Sequence, residues 1–165
     1  MANQRSQILM SHDEVVEFLG QQRSSTVATY GPDGQIHLVG MWYAVKDEHI
    51  WFETKRKAQK VVNLRRDPRM SFLVEAGQTY DQLRGLAIEG TGVVVEDKDV
   101  VWDVCVNLFE RYNAPYTEEL KPFVELMAHN RVAVRLDVDR VRSWDHRKLG
   151  MDPIDLGGST APFIV

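Results

Sequence analysis

Three apolar runs with strand character stand close together in the first half of the chain. Residues that favour strands, β-branched and aromatic, are concentrated in Ser25–Tyr30, Ile36–Val45 and His49–Thr54. The connections between these runs, Gly31–Gly34 and Lys46–Glu48, are short, polar and rich in turn-forming residues. This pattern predicts three strands of an antiparallel meander.

Further extended segments follow in the second half of the chain. Met70–Glu75 and the long run Leu83–Glu96 have strand composition, and a last strand is predicted over Arg131–Leu136, with a continuation to Trp144 left open. Glycines inside the long run indicate bends or bulges of the kind that a barrel uses to close. These glycines are Gly85, Gly90 and Gly92.

Apolar residues at three- and four-residue spacing predict helices between the strands. The first is preceded by a capping box, Ser11 with Glu14. The second is predicted to have a weakly apolar face formed by Ala58, Val61, Val62 and Leu64. The four predicted helices are Ser11–Gly20, Lys55–Arg66, residues 97–115 and Thr117–Asn130. Together the elements predict an α+β protein with an antiparallel barrel of about six strands, Greek-key order and peripheral helices.

The size and charge of the chain narrow its class. Its 165 residues suffice for one core, so we predict a domain over residues 11–145, an N-terminal extension over 1–10 and a tail over 146–165. The formal charge of −4 argues against a generally basic nucleic-acid-binding protein. Charged residues interrupt the N-terminal segment before any long apolar run, so we predict neither a leader nor a membrane span, and a cytoplasmic protein.

Several reactive residue types give no site by themselves. Cys105 is the one cysteine of the chain and lies on a predicted apolar helix stripe, so we interpret it as a core residue. The histidines are scattered without metal-ligand spacing, so no metal site is predicted. His146 is polar enough in its surroundings for a site, although alone it is more typical of a surface residue. No arrangement of a protein nucleophile with a base is visible, so no catalytic residue is assigned.

Basic residues concentrate directly after the third strand in an otherwise acidic protein. A strand-to-helix corner with free backbone N–H groups favours an anion, and Lys57 and Lys60 are predicted to share a helix face. This pattern indicates a phosphate site. The alternatives are a solvated basic face and, much less favoured because stacking aromatics are missing, nucleic acid. The cluster comprises Lys55, Arg56, Lys57, Lys60, Arg65, Arg66 and Arg69 against Asp67.

Aromatic residues at the end of the second strand and in the third offer a flat apolar wall. Alternation places Met41 and Tyr43 on one face and Trp42 on the other, and Phe52 and Thr54 lie in the third strand. One set can fill a barrel while the other holds a ring system. Plain core packing is the alternative.

Four segments taken together resemble a known family. They are Thr26–Tyr30, Gly40–Tyr43, Trp51–Thr54 and the motif Lys60-x-x-Asn63-Leu64-Arg65-Arg66-Asp67-Pro68-Arg69. The chain is similar over roughly residues 10–145 to the pyridoxamine 5'-phosphate oxidase-like split barrels, also called FMN-binding split barrels. It looks most like their actinobacterial flavin/deazaflavin oxidoreductase branch, many of whose members use coenzyme F420.

The resemblance implies a homodimeric six-stranded split barrel with two cofactor sites at the dimer interface. It implies that Lys60, the best-matched position, holds the cofactor phosphate with Lys55, Arg56 and Lys57. The ring would lie along Val39, Gly40, Met41, Trp42, Phe52 and Thr54. The family often has a proline at the position of Gly40, which leaves the ring contacts open. Tyr80 and Trp144 would line the pocket from the partner chain.

The function that this resemblance implies is hydride transfer. We expect an oxidoreductase that uses reduced F420 to reduce an unsaturated or electron-poor small organic substrate. An FMN-dependent reductase or oxidase of the same fold is the alternative within the enzyme class, since both cofactors carry a phosphate. The alternative from another class is a non-catalytic protein that binds a flavin, F420 or haem.

Overall fold

A computed structural model describes residues 4–156 of the chain. Its helices are α1 (Gln4–Gln7), α2 (His12–Gln21), α3 (Gln59–Arg66), α4 (Lys98–Tyr112) and α5 (Lys121–Ala128). Its strands are β1 (Ser25–Tyr30), β2 (Ile36–Met41), β3 (Ala44–Lys46), β4 (His49–Lys55), β5 (Arg69–Ala76), β6 (Arg84–Val95) and β7 (Arg131–Asp145). Single 3₁₀ turns lie at Tyr80–Gln82, Glu118–Leu120 and His146–Leu149.

The seven strands form one antiparallel sheet in the order β2-β1-β5-β6-β7-β4-β3. Its two edge strands, β2 and β3, follow each other in the chain and are separated only by Trp42 and Tyr43. Three peptide steps from Met41 to Ala44 span at most about 11 Å. The sheet must therefore curl until its edges nearly meet, which gives the half-barrel of an α+β fold.

The prediction of six strands was wrong, because the run Ile36–Val45 is two strands. Its first part pairs with β1 and its second part pairs with β4, which lie at opposite ends of the sheet order. Trp42 and Tyr43 belong to neither ladder and separate the two pairings. The chain leaves the ladder at Trp42, and the side chain of Tyr43 turns into the barrel core, where it is fully buried.

Two apolar clusters hold the sheet. One fills the barrel and includes Phe52 and Phe72, and α2 closes it with Phe18 and Leu19. The other lies between α4, α5 and the outer face of β3, β4 and β7. Cys105 belongs to this second cluster, and burial raises the pKa of its thiol to about 12. Such a thiol stays protonated at neutral pH, as expected of a core residue.

The first predicted helix begins where its capping box indicates. The Ser11 hydroxyl accepts from the Glu14 backbone N–H at 3.3 Å, and the Glu14 carboxylate accepts from the Ser11 N–H at 2.6 Å. The C-terminal end of α2 is held by α4, because Arg111 donates to the carbonyls of Leu19 and Gln22. A cation at a helix C-terminus also interacts favourably with the helix dipole.

The N-terminal segment lies along the end of the last strand. The Asp145 N–H donates to the Ile8 carbonyl at 2.7 Å, and the Met10 N–H donates to Ser143 Oγ at 3.0 Å. The predicted tail over 146–165 is described only to residue 156: it begins with the 3₁₀ turn His146–Leu149, and residues 151–156 are exposed and have no regular secondary structure. Its remainder lies outside the described residues. No helix within residues 4–156 is both long and apolar enough to cross a membrane.

A glycine bulge lets β6 and β7 pair along almost their whole length. The register shifts between Glu89 and Gly90, as expected from the predicted bend, and β7 continues to Asp145. A Cβ on Gly90 would lie 2.1 Å from the carbonyl oxygen of Asp137. Backbone atoms cannot yield cheaply at this distance, so only glycine is tolerated there.

Gly90→Ala should therefore destabilise the protein by about 1–3 kcal/mol, because the new methyl group forces the two longest strands apart. The measurement is the free energy of unfolding in urea, followed by circular dichroism. Gly20→Ala is the matched control: a Cβ at Gly20, inside α2, meets nothing within 4 Å. It should leave stability unchanged or raise it slightly, since alanine favours the helix. Equal stabilities of the two variants would contradict the close approach at Gly90.

Candidate functional site

A groove of about 680 Å³ lies where the ends of β2 and β4 meet the start of α3. It brings together most of the residues predicted to bind a cofactor phosphate and ring, together with three that were not predicted. The predicted residues are Gly40, Met41, Trp42, Thr54, Lys55, Lys57 and Lys60. The additional residues are Glu53, Ala58 and Arg131.

The local chain path explains why the basic residues converge. β4 ends at Lys55, a turn closed by the Ala58 N–H on the Lys55 carbonyl at 2.9 Å follows, and α3 begins at Gln59. The predicted helix start at Lys55 was therefore wrong. Lys57 precedes the helix and does not share a helix face with Lys60, but both line the groove. Within residues 4–156 no side chain caps the start of α3 at Ala58, and the N–H groups of Gln59 and Lys60 have no backbone partner there.

The inward face of α3 is partly polar. Lys60 and Asn63 are buried beside Val61 and Leu64, whereas Val62, predicted as part of an apolar face, is 47% exposed. Asn63 donates to the Thr29 hydroxyl on β1 at 3.0 Å and accepts from the Gln59 amide at 2.8 Å. These bonds fix the rotation of α3 against the barrel and thereby direct Lys60 inward.

Lys60 is a buried cation at the floor of the groove, 8% exposed. Its ammonium donates to the Thr54 hydroxyl at 3.1 Å. Burial lowers the pKa of Lys60, and the nearby Glu53 carboxylate opposes that shift. An ammonium has three donors, so within residues 4–156 two remain for a ligand.

Glu53 and Arg131 form an ion pair beside Lys60. Arg131 Nη1 lies 2.8 Å from Glu53 Oε2, and only 15% of the Glu53 side chain is exposed. Burial raises the pKa of Glu53, while the charges of Arg131 and Lys60 act in the opposite direction. The sequence shows that Glu53 and Lys55 lie two residues apart on β4. It does not show that β4 pairs with β7, and this pairing is what brings Arg131 to Glu53.

Trp42 forms an aromatic wall of the groove. Its indole stacks on the ring of Tyr112 in α4, with 4.3 Å between centroids and 6° between planes. The Tyr112 hydroxyl accepts from the Tyr43 N–H at 3.0 Å and donates to the Arg23 carbonyl at 2.8 Å. Trp42 remains 56% exposed with one face covered, so its other face is open.

Some residues predicted for the site lie elsewhere. Arg56 points away from the groove and forms an ion pair with Glu96, which also binds Arg65. Phe52 is fully buried in the barrel core, and Val39 packs partly against that core. Both therefore support the groove from below without lining it.

Tyr80 and Trp144 do not line the groove of their own chain. The Tyr80 ring lies 4.4 Å from that of His146, whose Nδ1 is 2.9 Å from the Tyr80 carbonyl. The Trp144 ring packs so closely on Gly85 that a Cβ there would be 2.0 Å away. That these residues reach a partner's groove stays a prediction.

Comparison with known proteins identifies relatives of this fold. The family model for pyridoxamine 5'-phosphate oxidase matches residues 11–145. The crystal structure of Rv2991, a conserved hypothetical protein from Mycobacterium tuberculosis, is 54% identical with a TM-score of 0.92, covering 97% of this chain and 100% of that one. No curated protein matches the chain.

Two solved structures whose names state a function have lower sequence identity to this chain. An F420 reductase is 24% identical with a TM-score of 0.61, covering 76% of this chain and 94% of that one. HutZ, the haem storage protein from Vibrio cholerae, is 15% identical with a TM-score of 0.65, covering 81% and 94%. At these identities the likeness shows the shared fold.

Arg131→Met should destabilise the protein by about 2–3 kcal/mol at pH 7.5, because it leaves the Glu53 carboxylate buried without its cation. The pH dependence has a definite sign. The pKa of Glu53 is already raised in the folded state, so its favourable contribution is present at low pH and is lost as pH rises through that pKa. Removing Arg131 raises this pKa further, so the destabilisation should be smaller at pH 5 than at pH 7.5.

Urea unfolding of the variant and the wild type at both pH values measures this effect. Arg142→Met is the matched control on the same strand: it breaks the more exposed pair with Glu89. That substitution should change stability much less. A loss for Arg131→Met that is equal at the two pH values would contradict a buried, titrating Glu53.

Proposed function

Since the chain belongs to the pyridoxamine 5'-phosphate oxidase family, we propose that it is an oxidoreductase that binds a phosphate-bearing cofactor of the flavin type in the groove at Lys60. We propose reduced coenzyme F420 as this cofactor and an unsaturated or electron-poor small organic molecule as the substrate. FMN is the alternative cofactor on the same fold.

The observation that carries the proposal is the buried ammonium of Lys60. A cation out of water is costly unless charge or hydrogen bonding compensates it, and Lys60 has one neutral hydrogen-bond partner, Thr54, within the described chain. The nearby Glu53 carboxylate is paired with Arg131, so a phosphate oxygen would supply the direct anionic partner that Lys60 does not have within residues 4–156. Lys55 and Lys57 line the same groove, and the uncapped N–H groups of α3 favour an anion at the same corner.

The wall that Trp42 forms in the same groove suits a ring system. The open face of Trp42 offers an aromatic surface that the stack on Tyr112 holds in one orientation. The groove is also large enough for an extended molecule. A phosphate at Lys60 and a conjugated ring at Trp42 would together use the two kinds of surface that the groove presents.

The roles of the protein residues follow from this arrangement. A bound F420 or FMN would supply the redox chemistry, hydride transfer in the case of the deazaflavin. Lys60, with Lys55 and Lys57, would hold the phosphate and so fix the position of the ring. Trp42 and Met41 would cover the ring and exclude water, which keeps a transferred hydride from solvent.

The composition of the groove disfavours the haem-binding alternative. Haem iron is normally held by histidine, cysteine, tyrosine or methionine. Among the described lining residues Met41 is the one side chain of these types. A non-catalytic F420 or FMN carrier remains the competing function, and turnover distinguishes it from an enzyme.

Titration of the cofactor-free protein with F420, with FMN and with haemin tests the proposal. We expect tight F420 binding and weaker FMN binding. Stronger binding of FMN than of F420 would favour the alternative, an FMN-dependent enzyme. Oxidation of reduced F420 by a panel of enones and quinones should then show turnover. Tight binding without turnover on any substrate would favour the carrier.

Lys60→Ala should weaken F420 binding by about 1.5–3 kcal/mol, or roughly 10- to 150-fold in Kd, the scale of a charge-assisted hydrogen bond. Fluorescence titration measures the two dissociation constants. Lys121→Ala on α5 is the control, because it removes an exposed lysine outside the groove. An unchanged Kd for Lys60→Ala would remove Lys60 from the site.

We further propose that the protein acts as a homodimer with the groove at the interface. Helices α4 and α5 cover the outer face of β3, β4 and β7, whereas no helix within residues 4–156 covers the apolar outer face of β1 and β2. Ile36 and Leu38 lie there, opposite Tyr30 and Ala28 in register. Gly40, the next outward position on β2, belongs to the groove. Exposed apolar surface of this kind is typical of an interaction face.

Leu38→Asp should shift the protein from dimer to monomer, because it buries a charge in the proposed interface. Light scattering after size-exclusion chromatography measures the mass. Leu126→Asp on α5 is the matched control: Leu126 is 75% exposed and Leu38 64%, but Leu126 lies outside this face. A wild type that is monomeric at micromolar concentration would refute the dimer.

A further inference from the structure

Glu53 is a carboxylate on the floor of a groove that otherwise carries cations. It lies in β4 between Phe52 in the core and Thr54, the hydrogen-bond partner of Lys60. Its charge is coupled to that of Lys60 as well as to that of its ion-pair partner Arg131. A site built only to attract a phosphate gains nothing from a negative charge in this place, so the carboxylate calls for an explanation.

The two candidate cofactors present different phosphates to the groove. The phosphate of FMN is a terminal monoester, which carries a charge of about −1.5 to −2 at pH 7. The phosphate of F420 is an internal diester with a single negative charge. A fixed carboxylate beside the phosphate position repels the doubly charged group more strongly than the singly charged one.

We propose that Glu53 sets the phosphate-charge selectivity of the groove, favouring a phosphodiester over a terminal phosphomonoester. The inference rests on the proposed function, since it places the cofactor phosphate at Lys60. It adds the determinant that discriminates between two cofactors whose ring systems are nearly alike.

The position of Glu53 makes the repulsion hard to avoid. The ion pair with Arg131 fixes its carboxylate, and with 15% of the side chain exposed, water screens it weakly. Arg131 compensates part of the charge, so the remaining effect is moderate. At the effective dielectric of such a site, one additional negative charge on the ligand should cost about threefold in affinity.

The experiment measures the dissociation constants of FMN, F420 and riboflavin for the wild type and for Glu53→Gln. Riboflavin has the ring of FMN without its phosphate. Removing the charge should strengthen FMN binding about tenfold and F420 binding less than about threefold, and should leave riboflavin unchanged. Equal changes for FMN and F420, or a change for riboflavin as large as that for FMN, would overturn the inference.

Further variants separate charge from structure. Glu53→Asp keeps the charge and should keep the wild-type preference for F420 over FMN. Glu53→Met is a second neutral variant, which should lose this preference and can replace Glu53→Gln if that variant folds poorly. Glu96→Gln is the matched control: it removes an equal charge from a carboxylate that binds Arg56 and Arg65 outside the groove. It should alter neither ratio, and an effect equal to that of Glu53→Gln would refute a local role for Glu53.

The outcome also separates this inference from the proposed function. If neither cofactor binds the wild type, the proposed function fails and the inference with it. If both cofactors bind in a Lys60-dependent way and neutralising Glu53 leaves their ratio unchanged, only the role of Glu53 is refuted.

Discussion

The two-residue link between the edge strands is the constraint on which the rest of the structure depends. Trp42 and Tyr43 must carry the chain from β2 at one edge of the sheet to β3 at the other. This closure sends Tyr43 into the barrel, where its hydroxyl bonds the Leu19 carbonyl at 2.8 Å and so ties α2 to the core. It sends Trp42 the other way, onto Tyr112 and into the groove. One short corner thus organises both the interior and the candidate site.

The buried charges of the groove lower the stability of the fold. Burial shifts the pKa of Lys60 downward and that of Glu53 upward, each toward its neutral form, which means that folding takes both charges out of water at a cost. The neighbouring contacts offset this cost: Arg131 pairs with Glu53, and the bonds of Asn63 to Thr29 and Gln59 hold α3 in place. Well-packed apolar residues would serve stability better, which is why such a cluster indicates function.

Local patterns predicted much of this fold, while long-range pairing limited the rest. The capping box at Ser11, the bend at Gly90 and the basic corner after β4 each lie within a few residues of sequence and appear as expected, apart from the later start of α3. Arg131 reaches Glu53 across 78 residues, and Tyr112 reaches Trp42 from a separate helix. The hydrophobic periodicity of the sequence does not predict such long-range contacts. The break in the run Ile36–Val45 was missed for the same reason, because most of its residues favour a strand and its interruption depends on pairing with distant strands.

The groove lies at the boundary between two halves of the outer sheet face, a position that would link ligand binding to assembly in the proposed dimer. On one side α4 supplies Tyr112 to the Trp42 wall, and on the other side Gly40 continues the row of Leu38 and Ile36 on β2, which is exposed among the described residues. A second chain on that row would reach the mouth of the groove. A ligand bound there would touch both chains and stabilise the dimer by mass action, in proportion to its preference for the assembled form. In a monomer, the part of the groove beside Trp42 and Met41, where the cofactor ring is proposed to lie, would be open to water. These two side chains alone could not keep solvent away from a transferred hydride.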